Sequence, residues 1–139
     1  MNDILHFVIV FAPLFFCILF LQSGLDKLFN KDDNLNWLTS HFEKTFVRYW
    51  VPQLFAILTF LECLTGLICL IGLITFLLSV CKVLFELNQA VFILTIGMLM
   101  SNITICCLFM GQRIAKDYVG AANLGIYFLA ALLGLFFLV

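Results

Sequence analysis

The sequence predicts an all-α integral membrane protein, a four-helix bundle with an amphipathic interfacial helix between the first and second spans. Of its 139 residues, 65% are hydrophobic and 11% are charged, whereas soluble domains carry roughly half and about a quarter. The apolar residues fall into four runs, each near the ~20 residues that a helix needs to cross a bilayer. None of these runs alternates in polarity like a β-barrel strand, so helices must satisfy the backbone hydrogen bonds in lipid.

The composition also excludes several classes of function. A soluble enzyme domain of this length needs charged side chains to cover its surface, and they are missing. Seven Lys and Arg against eight Asp and Glu give a formal net charge of −1, and without a basic patch no nucleic acid is expected as a partner. The six cysteines lack Cys-x-x-Cys spacing, so a disulfide relay is not expected. No metal cluster is visible.

A single membrane domain is predicted, with spans at residues 4–22, 53–80, 90–110 and 121–139. The first run is longer than the apolar core of a signal peptide and lacks its positive flank, which indicates a retained span. Pro13 lies inside it, and membrane helices tolerate such a proline when neighbouring helices compensate. Trp50 and Pro52 mark the start of the second span as an interfacial aromatic anchor and a residue suited to the first helical turn.

The loop between the first two spans contains the predicted interfacial helix, at about residues 34–50. Its apolar side chains recur every three or four positions, at Leu35, Leu38, Phe42, Phe46 and Tyr49. Such a stripe indicates a helix that lies in the membrane interface, with its polar face in water. A soluble helix that caps the bundle would bury the same stripe, so both alternatives stay open.

The basic residues predict the orientation in the membrane. The first and third loops together carry six of the seven, namely Lys27, Lys31, Lys44, Arg48, Arg113 and Lys116, and the second loop carries only Lys82. Because basic loops remain in the cytoplasm, the first and third loops are predicted inside and both termini outside.

Glu62 is the residue whose placement in a membrane costs the most free energy. It lies about ten residues into the second span, and a charge near mid-bilayer costs roughly 2.5–3.5 kcal/mol on insertion scales. We therefore expect Glu62 to face the bundle and to be either protonated or paired. Thr59, Thr65 and Gly66 share its helical face. A proton, cation or ligand site is one interpretation, and an interhelical hydrogen bond that locks the bundle is the other.

Three more residues join Glu62 in the candidate polar site: Asn102, Arg113 and Asp26. Asn102, in the third span, is either a partner of Glu62 or the donor of one packing hydrogen bond. Arg113 can pair with Asp117 four residues later on a helical face, or reach inward to neutralise Asp26. A solvated turn with interfacial charges is the alternative for this loop.

Small residues predict where helices approach closely. The candidate packing positions are Gly24, Gly66, Gly97, Ser101, Gly125 and Gly134. In the last span, the steps Ala121-xxx-Gly125 and Ala130-xxx-Gly134 suit either docking of a partner helix or packing within the bundle.

Three segments in this order resemble one family. Residues 23–29 (SGLDKLF), 61–72 (LECLTGLICLIG) and 111–124 (GQRIAKDYVGAANL) are similar to the end of the first helix, the second helix and the junction before the last helix of DoxX-like membrane proteins. The resemblance covers nearly the whole chain. The matching motif positions are Gly24, Asp26, Lys27, Glu62, Gly66 and Arg113.

The resemblance implies a four-helix bundle in the bacterial cytoplasmic membrane. Some DoxX-like proteins are linked to thiosulfate:quinone oxidoreduction or to membrane oxidoreductase complexes, and many have no assigned activity. Vitamin K epoxide reductase-like bundles look similar but use a Cys-x-x-Cys motif, which this chain lacks, so their activity is not expected here.

Three functions follow as hypotheses. The first is an accessory subunit of a membrane complex, in contact with the bilayer and with other membrane subunits or a second copy of itself. The second is an oxidoreductase subunit that binds quinone, with Glu62, Asn102 and Arg113 as polar groups for the quinone oxygens. The third is a small proton-coupled transporter that uses Glu62. No other cofactor is expected.

Overall fold

The computed structural model describes residues 3–139, with side chains from Ile9 onward. It is 87% helical, with no β-strand among the described residues. The helices are α1 (Asp3–Phe29), α2 (Lys31–His41), α3 (Val51–Val80), α4 (Leu87–Ile114) and α5 (Tyr118–Leu138), and a short 3-10 turn at Arg48–Trp50 precedes α3. The all-helical prediction is confirmed.

Four of these helices are long and apolar enough to cross a membrane: α1, α3, α4 and α5. This indicates a multi-pass membrane protein. The main difference from the predicted spans is in α1, which continues to Phe29 instead of ending near residue 22. The last turns of α1 therefore hold Ser23, Asp26 and Lys27 on a helix, where residues four apart share a face.

The helix in the loop between α1 and α3, α2, is shorter than the predicted amphipathic helix and contains no buried residue. The range 34–50 is wrong at both ends, because α2 starts at Lys31 and ends at His41. Phe42 follows in a turn and is buried, and the His41 ring is hydrogen-bonded to the Gln112 side chain at 2.9 Å. These contacts with the end of α4 turn the chain away from a helical path. Phe46, expected on the buried stripe, is instead 79% exposed.

The four long helices pack side by side, and each is antiparallel to the neighbours it packs against most closely. α1 packs on α3, α3 on α4, and α4 on α5, while α5 makes a smaller contact with α1. The largest fully buried side chains in this core are Phe16, Phe20, Leu94, Met98 and Ile105. With this order, the 31–50 segment and the α4–α5 turn lie at one end, as the contact of His41 with Gln112 also requires.

Glycines allow the closest of these approaches. A Cβ added at Gly66 would lie 2.8 Å from the backbone nitrogen of Leu21, and one added at Gly97 would lie 3.0 Å from Sγ of Cys69. The first contact joins α3 to α1 and the second joins α4 to α3. Because backbone atoms cannot move aside as a side-chain tip can, Gly66 fixes the separation of α1 and α3.

We predict that Gly66→Ala lowers stability by about 1–3 kcal/mol, the usual cost of overpacking a core. The measurement is thermal unfolding of the purified protein in detergent. Gly125→Ala is the matched control, since a Cβ there meets nothing within 4 Å. Equal melting temperatures for the two variants would contradict the close approach at Gly66.

Candidate functional site

Glu62 lies at the contact between α1 and α3 and is 1% exposed. Its Oε2 accepts hydrogen bonds from Lys27 Nζ at 2.8 Å and from Ser23 Oγ at 3.0 Å. Lys27 Nζ also donates to Ser23 Oγ at 2.7 Å. These three side chains form a closed set, which we call the Lys27–Ser23–Glu62 triad. Among the described residues, Lys27 and Glu62 form the one ion pair.

The sequence positions this triad through helix geometry. Ser23 and Lys27 are four residues apart, so both face α3 from consecutive turns of α1. Gly24 lies between them, and a Cβ there would be 3.0 Å from the backbone nitrogen of Cys63. The missing side chain brings the helix backbones together, so the Lys27 ammonium and the Ser23 hydroxyl both reach Glu62.

The pairing explains how a carboxylate can occupy this position. An ion without a partner is strongly disfavoured in a low-dielectric interior, whereas a paired and hydrogen-bonded one is tolerated. The Lys27 side chain is 14% exposed, so its ammonium is also largely removed from solvent. The triad carries no net charge when both groups are ionised, and its hydroxyl bridges the two charged groups.

A second line of polar contacts follows on the face of α3 that meets α4. Thr65 Oγ1 and Thr104 Oγ1 are 2.8 Å apart and fully buried. One turn further, Cys69 Sγ lies 3.7 Å from Ser101 Oγ. These hydroxyl contacts, with the close approach at Gly97, join α4 to α3.

Asn102 does not meet Glu62. Its Nδ2 donates to the carbonyl of Met98 on its own helix at 2.9 Å, and its buried Oδ1 has no hydrogen-bond partner in the structure. Because α3 and α4 are antiparallel, a step from Thr65 back to Glu62 is a step from Thr104 towards Leu108. Asn102 lies in the opposite direction along α4.

Arg113 and Asp26 also have other partners. The Arg113 guanidinium lies over the Tyr118 ring, 4.8 Å from its centroid, while Asp117 accepts from the backbone nitrogen of Gly120 at 2.9 Å and caps α5. Neither of the two alternative pairings for Arg113, with Asp117 or with Asp26, is found among the ion pairs of the described residues, while the solvated turn stays open.

The Asp26 carboxylate instead accepts from Asn30 at 2.6 Å and from Asn34 at 2.9 Å, on the exposed side of the α1–α2 junction. The other three residues of the predicted polar site therefore have partners other than Glu62.

Ser23 and Lys27 are the partners that the sequence reasoning missed. From the sequence, Lys27 is predicted to lie in the first loop and matches the family motif, while Ser23 only belongs to the segment that resembles the end of a first helix. A usable signal was present, because Ser23 and Lys27 lie four residues apart while Asp26 lies about 100° away from Lys27 around the helix. The shared helical face of Ser23 and Lys27 could be recognised only from a prediction in which the first helix continues beyond residue 22.

The predicted packing residues fall into two groups. Gly24, Gly66, Gly97 and Gly134 each lie against a neighbouring helix, and Ser101 contacts Cys69. At Gly134, an added Cβ would lie 2.6 Å from Cβ of Ala12 and 2.7 Å from Cε of Met98. Gly125 differs, since nothing lies within 4 Å of a Cβ placed there.

A cleft opens next to the triad on the outer side of α3. It is a half-open cleft of about 450 Å³ between α3, the end of α1 and the start of α2, and we call it the α2–α3 cleft. Its lining is mostly apolar and includes two lysines: Lys27, Leu28, Lys31, Leu35, Pro52, Phe55, Ala56, Thr59, Phe60 and Cys63. The volume is in the range of roughly 300–1,000 Å³ that is common for small-molecule sites.

Within residues 3–139, no group of three or more His, Cys, Asp and Glu side chains is placed to hold a metal ion. Comparison of the chain with protein-family models, with curated proteins and with solved structures finds no match.

We predict strong coupling between the two charged residues of the triad. Lys27→Met leaves Glu62 buried without a counter-charge, and loss of one partner of a buried pair costs about 3–5 kcal/mol. Adding Glu62→Gln to Lys27→Met removes the unpaired charge, so the double variant should be more stable than Lys27→Met alone. Thermal unfolding in detergent measures Lys27→Met, Glu62→Gln and the double variant.

Lys116→Met, in the α4–α5 turn, is the control for loss of one ammonium and should change stability little. A double variant whose loss equals the sum of the two single losses would contradict the coupling.

Proposed function

We propose that the chain is an accessory subunit of a membrane complex, a four-helix bundle that docks a partner helix on the outer face of α5. The single observation that supports this is the environment of Gly125. The other glycines of the long helices contact a neighbouring helix or segment, or in the case of Gly120 the α5 cap, whereas Gly125 has open space beside it. Small residues at a helix surface allow close approach of another helix in lipid.

The surroundings of Gly125 suit a helix partner. Ala122, one turn earlier on the same side, is exposed, and Ile126 and Leu129 are large exposed apolar residues nearby. α5 is also the least covered of the four long helices, with 22% of its most apolar window buried against 33–44% in the others. A shallow strip of small residues bordered by large ones is a suitable groove for a transmembrane helix.

The triad has a structural role in this proposal. It neutralises Glu62 within the chain and holds α1 to α3, so the docking face on α5 is carried by a rigid support.

Gly125→Leu should remove the partner from the complex. The tagged chain, expressed in its native membrane and gently solubilised, is captured, and the co-purifying polypeptides are identified and quantified. We expect a defined membrane polypeptide with the wild type and at least a tenfold loss with Gly125→Leu, because the added side chain fills the approach. Cys106→Leu is the control, since it enlarges an exposed residue of α4.

Recovery of this chain alone from wild-type membranes would contradict the proposal. Recovery of only a second, differently tagged copy would replace the accessory subunit with a homo-oligomer.

We also propose the orientation in a bacterial cytoplasmic membrane. The end that holds the 31–50 segment and the α4–α5 turn faces the cytoplasm, because most of the basic residues lie there. α2 then lies at the cytoplasmic interface, with exposed Trp37 and Trp50 suited to headgroup depth. The DoxX-like membership remains a prediction from its three sequence segments.

The orientation predicts which cysteine is modified from outside the cell. Cys81 is exposed at the end opposite to α2, so a membrane-impermeant maleimide added to intact spheroplasts should label it. Cys81→Ser should abolish that labelling. A Ser40→Cys substitution in the Cys81→Ser background should be labelled only after the membrane is opened, and the reverse pattern would contradict the orientation.

A further inference from the structure

We propose that the α2–α3 cleft binds an anionic phospholipid, with one acyl chain along α3 and the phosphate on Lys31. The cleft lies on the outside of the contact between α1 and α3, not in the core between the four long helices. Its rim includes Leu28 and Phe60, and Phe60 is 67% exposed. In a membrane-embedded chain, the molecules that reach such a cleft first are lipids.

The shape of the cleft suits an acyl chain. The α3 residues that line it recur at Pro52, Phe55, Ala56, Thr59, Phe60 and Cys63, a strip of three turns on one face. At 1.5 Å per residue, this strip is about 16 Å long. The one polar side chain on the strip, Thr59, donates its hydroxyl to the Phe55 carbonyl at 2.8 Å and so presents no free donor. This strip of α3 therefore presents an apolar surface along its whole length.

The charge of the cleft selects the headgroup. Its lining contains two lysines and no Asp or Glu. Lys27 is neutralised by Glu62, whereas the Lys31 side chain has no hydrogen bond or ion pair with any residue in the described part of the chain. One lysine of the cleft lining is thus left without a paired counter-charge. Asp32 and Asp33 follow on α2 but do not line the cleft.

The position of Lys31 suits a phosphate at the membrane surface. Lys31 begins α2, directly after the end of α1, while Lys27 lies one helical turn further inward. Basic pockets between helices near the membrane surface bind the headgroups of anionic lipids. A zwitterionic headgroup would bring a second positive charge towards Lys31, so we expect a net negative headgroup to be preferred.

Native mass spectrometry of the full chain in detergent tests this proposal, with dioleoyl phosphatidylglycerol or dioleoyl phosphatidylcholine as the added lipid. We expect one phosphatidylglycerol to be retained in preference to phosphatidylcholine. Lys31→Gln should weaken phosphatidylglycerol binding about fivefold, the effect of one ammonium near an anionic headgroup. Lys116→Gln, at the same end of the molecule, is the control and should bind as the wild type does.

Ala56→Phe tests the acyl-chain half of the site, because it fills the cleft from an exposed position. It should reduce the binding of both lipids. If the Ala56→Phe protein is not monodisperse, the lipid binding of Lys31→Gln alone decides the proposal.

Equal retention of the two lipids by the wild type, or unchanged binding by Lys31→Gln, would overturn the proposal. So would a result in which Ala56→Phe keeps the lipid but loses the co-purifying polypeptide, since the cleft would then be a protein interface. The Gly125→Leu experiment has a different readout, so failure of one proposal leaves the other standing.

Discussion

The ion pair between Lys27 and Glu62 is the constraint on which the rest of the fold depends. A buried carboxylate on α3 needs its counter-charge within hydrogen-bond distance, and that charge comes from α1. The pair can form at one register of the two helices, and at that register Gly24 and Gly66 lie where the backbones come closest. Charge neutralisation and close packing therefore require the same arrangement.

α3 is the helix that joins the others. One side of it meets α1 through charged groups and glycines, and another meets α4 through the Thr65–Thr104 hydroxyl pair and the approach at Gly97. Apolar side chains gain little free energy when they move from lipid into a contact between helices, so small residues and hydrogen bonds must drive helix association. Both contacts of α3 follow this principle. The weaker coverage of α5 leaves a face on which another chain can be accommodated.

The sequence predicted the elements better than it predicted the contacts. Apolar runs of membrane length gave four helices, because hydropathy and backbone hydrogen bonding leave little choice in lipid. The helical periodicity of the sequence did not predict where α2 ends. After His41 the chain is positioned by the burial of Phe42 and by the hydrogen bond between His41 and Gln112, which are tertiary contacts that no local pattern encodes. Glu62 was recognisable from its cost in a membrane, yet its partner was not. Asn102 and Arg113 were chosen for polarity, while the actual choice depended on the register of α1 against α3.

The triad has a consequence for how the protein enters its membrane. Lys27 and Glu62 lie 35 residues apart in the chain, so α1 emerges from the ribosome well before its partner. Each helix alone would bring an uncompensated charge into the hydrocarbon, whereas the two together bring none. α1 and α3 should therefore partition into the bilayer as one hairpin.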